Sequence, residues 1–205
     1  MRNNIFSLKD RVAVVTGGLG IQGKEFCKGL AESGANVVVV DLDEQKVKEF
    51  ASLLEKDFKT KCIGISCDIS NEESVIQMSN KSEEVFGKID ILHNNAAIKS
   101  KNLEDFFRPT EKFKLETWKE VMSVNLDGMF LVAREIGSKM AKRKSGSIIQ
   151  TASIYGGSVG VDHRIYEGSN YLGTKINTPP VYAASKGGVV GLTLYLATYW
   201  AKDGI

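Results

Sequence analysis

The sequence is poor in cysteine, has almost no excess of either charge and contains no long apolar run. Its three cysteines, Cys27, Cys62 and Cys67, are too few and too scattered for a disulfide scaffold and fit a reducing compartment. Cys62 and Cys67 lie five apart with no paired Cys or His cluster beside them, and His93 and His163 are far apart, so no metal is expected. Lys+Arg 27 against Asp+Glu 25 leaves a net charge of +2, which gives no electrostatic footprint for nucleic acid or an acidic membrane. The densest basic run, Lys139 to Lys144, falls where a helix should end, and a helix dipole favours cations there. No stretch approaches the ~18 apolar residues of a membrane helix. The opening MRNNIFSLKD has no apolar core of signal-peptide length. A cytoplasmic protein with neither a nucleic-acid nor a membrane partner is expected.

What is present is an alternation of short apolar runs and longer helical patterns. RVAVV (Arg11–Val15), NVVVV (Asn36–Val40), KCIGIS (Lys61–Ser66), IDILH (Ile89–His93) and SIIQT (Ser147–Thr151) read as five strands. The second is too uniformly apolar for a half-exposed sheet and suits a buried parallel one. Helical patterns fall at about 22–33, 43–56, 71–86, 115–122, 126–142 and 181–201, with Asp43 and Asn71 as caps and Gly34 and Gly87 as stops. Strand and helix in alternation predict an α/β doubly wound parallel sheet, here as one domain over residues 1–205. The only long irregular stretch is Gly156–Pro180, a length usual for functional lids or disordered loops.

The turn after the first strand is TGGLGIQG (Thr16–Gly23), placed between a strand and a helix as a dinucleotide-binding turn requires. Gly17 would permit the tight turn, Gly20 the close approach of a pyrophosphate and Gly23 close helix–strand packing, with Ile21 opening the helix. The helix N-terminus offers free N–H groups to phosphate. Asp41 ends the second strand eighteen residues after Gly23, near the spacing at which a carboxylate holds an adenosine ribose. That carboxylate would repel a 2′-phosphate, and the turn has no Arg or Lys to compensate, so NAD is expected over NADP.

Further along come Asp68 in CDIS, Asn94–Ala97 (NNAA), Asn125 in VNLDG, Ser153 in TASIYG and Tyr182–Lys186 (YAASK), in that order. With TGGLGIQG, this set resembles the short-chain dehydrogenase/reductase family over essentially the whole chain. Tyr182 and Lys186, four apart, share one helix face. A free phenol titrates near ~10, so a tyrosine acts as a base at neutral pH only beside cations that favour the phenolate. The resemblance implies Tyr182 as acid/base, Lys186 as its cationic neighbour and ribose ligand, Ser153 as donor to the reacting oxygen and Asn125 as anchor of a proton relay. It places Asp68 and Ile69 at the adenine, and Asn94, Asn95 and Ala96 at the cofactor pocket. The activity implied is hydride transfer between NAD(H) and a secondary alcohol or carbonyl, in a homo-oligomer paired through segments 126–142 and 189–200.

Three features depart from the family pattern. The glycine spacing TGxxGxxG is similar to that of the branch handling nucleotide sugars, which leaves a nucleotide-sugar epimerase or dehydratase with retained NAD as an alternative. Ser153 and Tyr182 lie 29 apart where the family has about a dozen. The extra residues include His163, Arg164, Tyr166, Glu167, Tyr171 and Lys175, and would form part of a substrate lid. SIYG, HRIYEG and YAASKGG together are similar to dehydrogenases that accompany bacterial surface-sugar and flagellin-glycan synthesis. Tyr155 and Tyr166 lack a lysine four positions on; Tyr171 has Lys175 there, within the irregular stretch, and none of the three is expected to be the base. Lastly, the sequence stops at Ile205, where the family continues with a helix and two strands; this implies a truncated or shortened member, with a non-catalytic dinucleotide-binding protein as a second alternative.

Overall fold

A computed structural model describes residues 5–205. Its central sheet is β1 (Val12–Thr16), β2 (Asn36–Asp41), β3 (Cys62–Ser66), β4 (Ile91–Asn94) and β5 (Ser147–Gln150), all parallel, in the order β3-β2-β1-β4-β5. The helices between them are α1 (Ile21–Glu32), α2 (Glu44–Phe58), α3 (Glu72–Phe86), α4 (Leu103–Phe106), α5 (Leu115–Met122) and α6 (Met129–Arg143), and α7 (Pro180–Tyr199) follows β5. The α/β doubly wound architecture read from the alternating pattern is therefore the one observed.

Both faces of the sheet are covered, which is why β1 and β2 carry no polar alternation. Val15, Val37 and Val39 pack with Cys27 and Ala31 of α1 and Val47, Ala51 and Leu54 of α2. Val12, Val14, Val38 and Val40 point the other way, onto Val75 and Met78 of α3 and Val132, Ile136 and Met140 of α6. Each buried Val or Leu of this kind contributes roughly 1.5–3 kcal/mol. Asp43 and Asn71 cap α2 and α3 by accepting from the backbone N–H of Lys46 and Ser74, and Gly87 closes α3 at φ +78°. Such a cap is worth about 1 kcal/mol.

Two details differ from the sequence pattern. The helices expected at 115–122 and 126–142 form one rod, α5–α6, joined by a π-turn over Ser123–Gly128. Polar Ser123, Asn125 and Asp127 interrupt the apolar stripe there and mimic a break. The stretch 156–180 is also ordered: it holds a one-turn 3₁₀ segment (His163–Tyr166) and a small antiparallel hairpin, β6 (Asn170–Tyr171) with β7 (Thr174–Lys175).

The chain winds outward from β1 to β3 on one side and from β4 to β5 on the other. The crevice between the carboxyl ends of β1 and β4 is thus the point at which the winding reverses, where sheets of this kind bind ligands.

Candidate active site

Glycine geometry shapes one wall of that crevice. Gly17 has φ +66°, and a Cβ there would sit 2.8 Å from the Ala96 Cα, so the turn after β1 lies directly on the segment after β4. A Cβ on Gly23 would run into the Gly17 carbonyl oxygen, which locks α1 against the turn. Gly20 caps α1 without a side-chain hydrogen bond, and the first bond of the ladder is from Lys24 N–H to the Gly20 carbonyl, 3.0 Å. The N–H groups of Ile21, Gln22 and Gly23 therefore have no partner within the helix and stay available to an anion.

Asp41 ties this turn to the end of β2. Oδ2 accepts from Leu19 N–H at 3.0 Å and Oδ1 from Leu42 N–H at 2.8 Å, and each oxygen keeps further acceptor capacity. Asp68, exposed after β3, uses Oδ1 to hold the Ser70 N–H and hydroxyl at 2.9 and 2.7 Å. On the β4 side, Thr16 is fully buried and its hydroxyl donates to Asn94 Oδ1 (3.2 Å) while accepting from Asn95 N–H (2.9 Å) and Ala96 N–H (3.1 Å). One hydroxyl thus pins three consecutive residues. Asn94 Nδ2 in turn donates to the Met129 carbonyl at 2.7 Å and to Gln150 Oε1 at 3.2 Å.

The result is an open cleft of about 850 Å³, in the size range of ligand sites. Gly17, Gly20, Ile21, Gly23, Asp41, Asp68, Ile69, Asn95 and Ala96 all line it. Asn94 stands behind it, buried beneath the wall.

The second group of residues meets around α7. Asn125 lies in the π-turn, buried, and its amide brackets one residue: Oδ1 accepts from Ile98 N–H at 2.8 Å and Nδ2 donates to the Ile98 carbonyl at 3.2 Å. Lys186 is 3% exposed, donates from Nζ to the Thr151 carbonyl at 2.6 Å, and has its pKa pushed below the ordinary lysine value by burial. Ser153 caps the short turn Ile154–Gly156 by accepting from Tyr155 N–H at 3.3 Å, which leaves its hydroxyl proton free to donate. Close packing joins these pieces. A Cβ on Gly156 would sit 2.6 Å from the Lys186 carbonyl oxygen, and one on Gly188 would sit 2.6 Å from the Leu126 side chain. The Lys186–Gly188 stretch therefore touches both the Ser153 turn and the π-turn carrying Asn125. Tyr182 stands one helical turn before Lys186, half-buried, and its hydroxyl has no protein hydrogen-bond partner among the described residues.

These four residues do not line the cleft. The link runs through Thr151, whose hydroxyl donates to Asn95 Oδ1 at 3.2 Å and whose carbonyl receives Lys186. Sequence reasoning passed over Thr151 and Thr16 as site residues. Their available signal was position: each is a hydroxyl residue at the carboxyl end of a strand facing the crevice. Tyr155 sits close by, but its hydrogen bond with Tyr166 pushes its phenol above the usual range, which suits a base poorly.

Among the described residues no helix is long and apolar enough to cross a membrane, and no group of three or more His, Cys, Asp or Glu is placed to hold a metal ion.

A family model for short chain dehydrogenases matches residues 11–175. The 2-dehydro-3-deoxy-D-gluconate 5-dehydrogenase of Pseudoalteromonas atlantica is 34% identical over 204 residues, covering 98% of this chain and 70% of that protein. A solved structure titled NAD+-bound xylitol dehydrogenase superposes with a TM-score of 0.80 at 25% identity, over 96% of this chain and 67% of that one. The NADPH-dependent 3-quinuclidinone reductase of Rhodotorula rubra superposes with a TM-score of 0.81 at 30% identity, over 96% and 66%.

Proposed function

The chain belongs to the short-chain dehydrogenase family, and from that premise we propose that it uses NAD(H) to interconvert a sugar-like secondary alcohol and its carbonyl, with Tyr182, Lys186, Ser153 and Asn125 as its catalytic group. It is a nicotinamide-dependent oxidoreductase acting on a small molecule, as its relatives are named. The finer reading takes residues 1–205 as one dinucleotide-binding and catalytic unit.

The observation that carries it is the continuity from cleft to helix. Nine of the residues expected to hold the cofactor line a cleft at the winding reversal, and Thr151 connects one of them, Asn95, to Lys186. The partnerless N–H groups at the start of α1 and the glycine-lined turn suit a pyrophosphate. The nicotinamide supplies the hydride acceptor or donor when bound. In oxidation Tyr182 takes the hydroxyl proton of the substrate as hydride leaves the carbinol carbon, and in reduction it returns that proton. Ser153 donates its free hydroxyl proton to the reacting oxygen and stabilises the charge that develops on it. Lys186, held at Thr151, keeps a cation beside Tyr182 and offers its remaining protons to ribose hydroxyls. Asn125 fixes Ile98, a residue of the cleft wall.

Asp41 supports NAD. Its free lone pairs can accept two ribose hydroxyls, whereas a 2′-phosphate would meet a carboxylate already fixed between Leu19 and Leu42. Free, buried cysteines are in keeping with a reducing cytoplasm; burial pushes the Cys27 thiol up to about 12. The exposed apolar row Leu194, Tyr195 and Tyr199 on α7 supports a homo-oligomer. The reading is tested by fluorescence titration of the 205-residue chain with NADH and NADPH. Saturable binding favouring NADH is expected. Absence of binding to either dinucleotide overturns it.

A further inference from the structure

A second cavity, of about 560 Å³, opens between the 104–111 segment and the insertion that precedes α7. Its lining includes Thr178 and Pro180, two to four residues before Tyr182, so it reaches the start of the helix that carries the proposed base. The insertion is moored on both sides. Asn177 Nδ2 donates to the Phe107 carbonyl at 2.9 Å, and the Tyr171 ring lies 4.2 Å beneath the ammonium of Lys99, a residue of the dinucleotide cleft. The hairpin therefore spans from the rim of one cavity to that of the other.

The polar groups of this second cavity are of a particular kind. Arg108 of the lining is engaged by Asp105, which also holds Lys114, and outside the cavity Arg164 is paired with Asp162. Inside it, the carboxylates of Glu104, Glu111 and Glu167 have no ion-pair or hydrogen-bond partner among the described residues, and neither has Lys175 Nζ. Acceptors thus outnumber donors. The three carboxylates outnumber the cations Arg108 and Lys175 in the lining. An acceptor-rich, mildly negative cavity is matched by a neutral ligand with many O–H donors, and vicinal hydroxyls can chelate a carboxylate. A nucleoside diphosphate would bring further negative charge against it.

We infer that this cavity is the specificity site for the substrate's distal part, and that it takes a neutral polyhydroxylated chain or ring, not a nucleotide-linked sugar. The inference rests on the oxidoreductase reading for its role, though the binding can be measured without turnover. Glu167 and Lys175 are exposed, so replacing them does not threaten folding.

The test is saturation-transfer NMR on the dinucleotide-loaded chain with hexitols, pentitols and UDP-glucose as probes, in wild type and in the double variant Glu167→Ala, Lys175→Ala. Turnover of the hexitols and of 2-butanol is followed in parallel. Polyols should bind about tenfold more weakly to the variant, UDP-glucose should bind neither form, and the variant should lose turnover of the hexitol but not of 2-butanol. Polyol binding that the variant leaves unchanged, or UDP-glucose binding as strong as that of the polyols, overturns the inference. Turnover of 2-butanol without polyol binding also overturns it and leaves the oxidoreductase reading standing. Variant-sensitive polyol binding with no hydride transfer to any alcohol upholds the cavity and defeats that reading instead.

Discussion

The ammonium of Lys186 donates a 2.6 Å hydrogen bond to the backbone carbonyl of Thr151, fastening the start of α7 to the chain just beyond β5. Burial lowers the pKa of this lysine, so folding disfavours its charged form. The unfolded chain then binds more protons between the folded and unfolded pKa values, and stability rises with pH through that window. Lys186→Met removes the buried charge. Its melting temperature should equal or exceed that of wild type at neutral pH, the difference should narrow as pH climbs towards the ordinary lysine range, and turnover should fall by about 10²-fold or more. Thermal melts across pH, set beside steady-state rates, check all three. A variant that melts far below wild type would mean that the Thr151 bond outweighs the burial cost.

Tyr182→Phe removes only a hydroxyl that has no protein partner. Turnover should drop by about 10²–10⁴-fold, the usual contribution of a positioned acid/base, while NADH affinity and melting temperature stay nearly as they were. Tyr155→Phe, which touches the phenol that its bond to Tyr166 pushes upward, should leave the rate within reach of wild type. Reversed results would move the base from Tyr182 to Tyr155.

Asp41→Asn keeps one acceptor oxygen but removes the negative charge. The preference for NADH over NADPH should shrink by about tenfold, or 1.4 kcal/mol, and dissociation constants for the two dinucleotides give the answer directly. An unchanged ratio would take selectivity away from Asp41.

Gly23→Ala forces a methyl group into the Gly17 carbonyl. Overpacking of this kind costs about 1–3 kcal/mol, so the urea midpoint should fall and dinucleotide binding weaken together. Gly29→Ala, in the same helix with open space at its Cβ position, is the control and should leave both intact.

The sheet was legible in the sequence because parallel strands covered on both faces are apolar at successive positions, and NVVVV is typical of such a strand. The caps at Asp43 and Asn71 were legible for a similarly local reason: each side chain reaches an N–H three residues on. Asn125 fell in the gap between two expected helices, and the π-turn around it was not legible, because a widened turn leaves no mark in the spacing of side chains beyond a gap in the apolar stripe. The hairpin of 170–175 was invisible, since strands of two residues are too short to show a period. Thr151 escaped for another reason. It acts on Lys186 through its carbonyl, a group every residue has, and only the fold decides which carbonyl faces a lysine.

The π-turn at Ser123–Gly128 has a consequence for the engineering of this chain. A π-turn closes its hydrogen bonds over five residues where an α-helix closes them over four, so the α5–α6 rod is wider at Ser123–Gly128 than a regular helix. Deleting a single residue there would restore an unbroken ladder and raise intrinsic helicity. It would also rotate everything upstream by about 100°, swinging Asn125 off Ile98 and the buried Val121 away from Val181. Homologues that differ here by one residue would therefore differ in the orientation of a whole helix, and a length change of one is a far graver event at this turn than one of several residues in the hairpin.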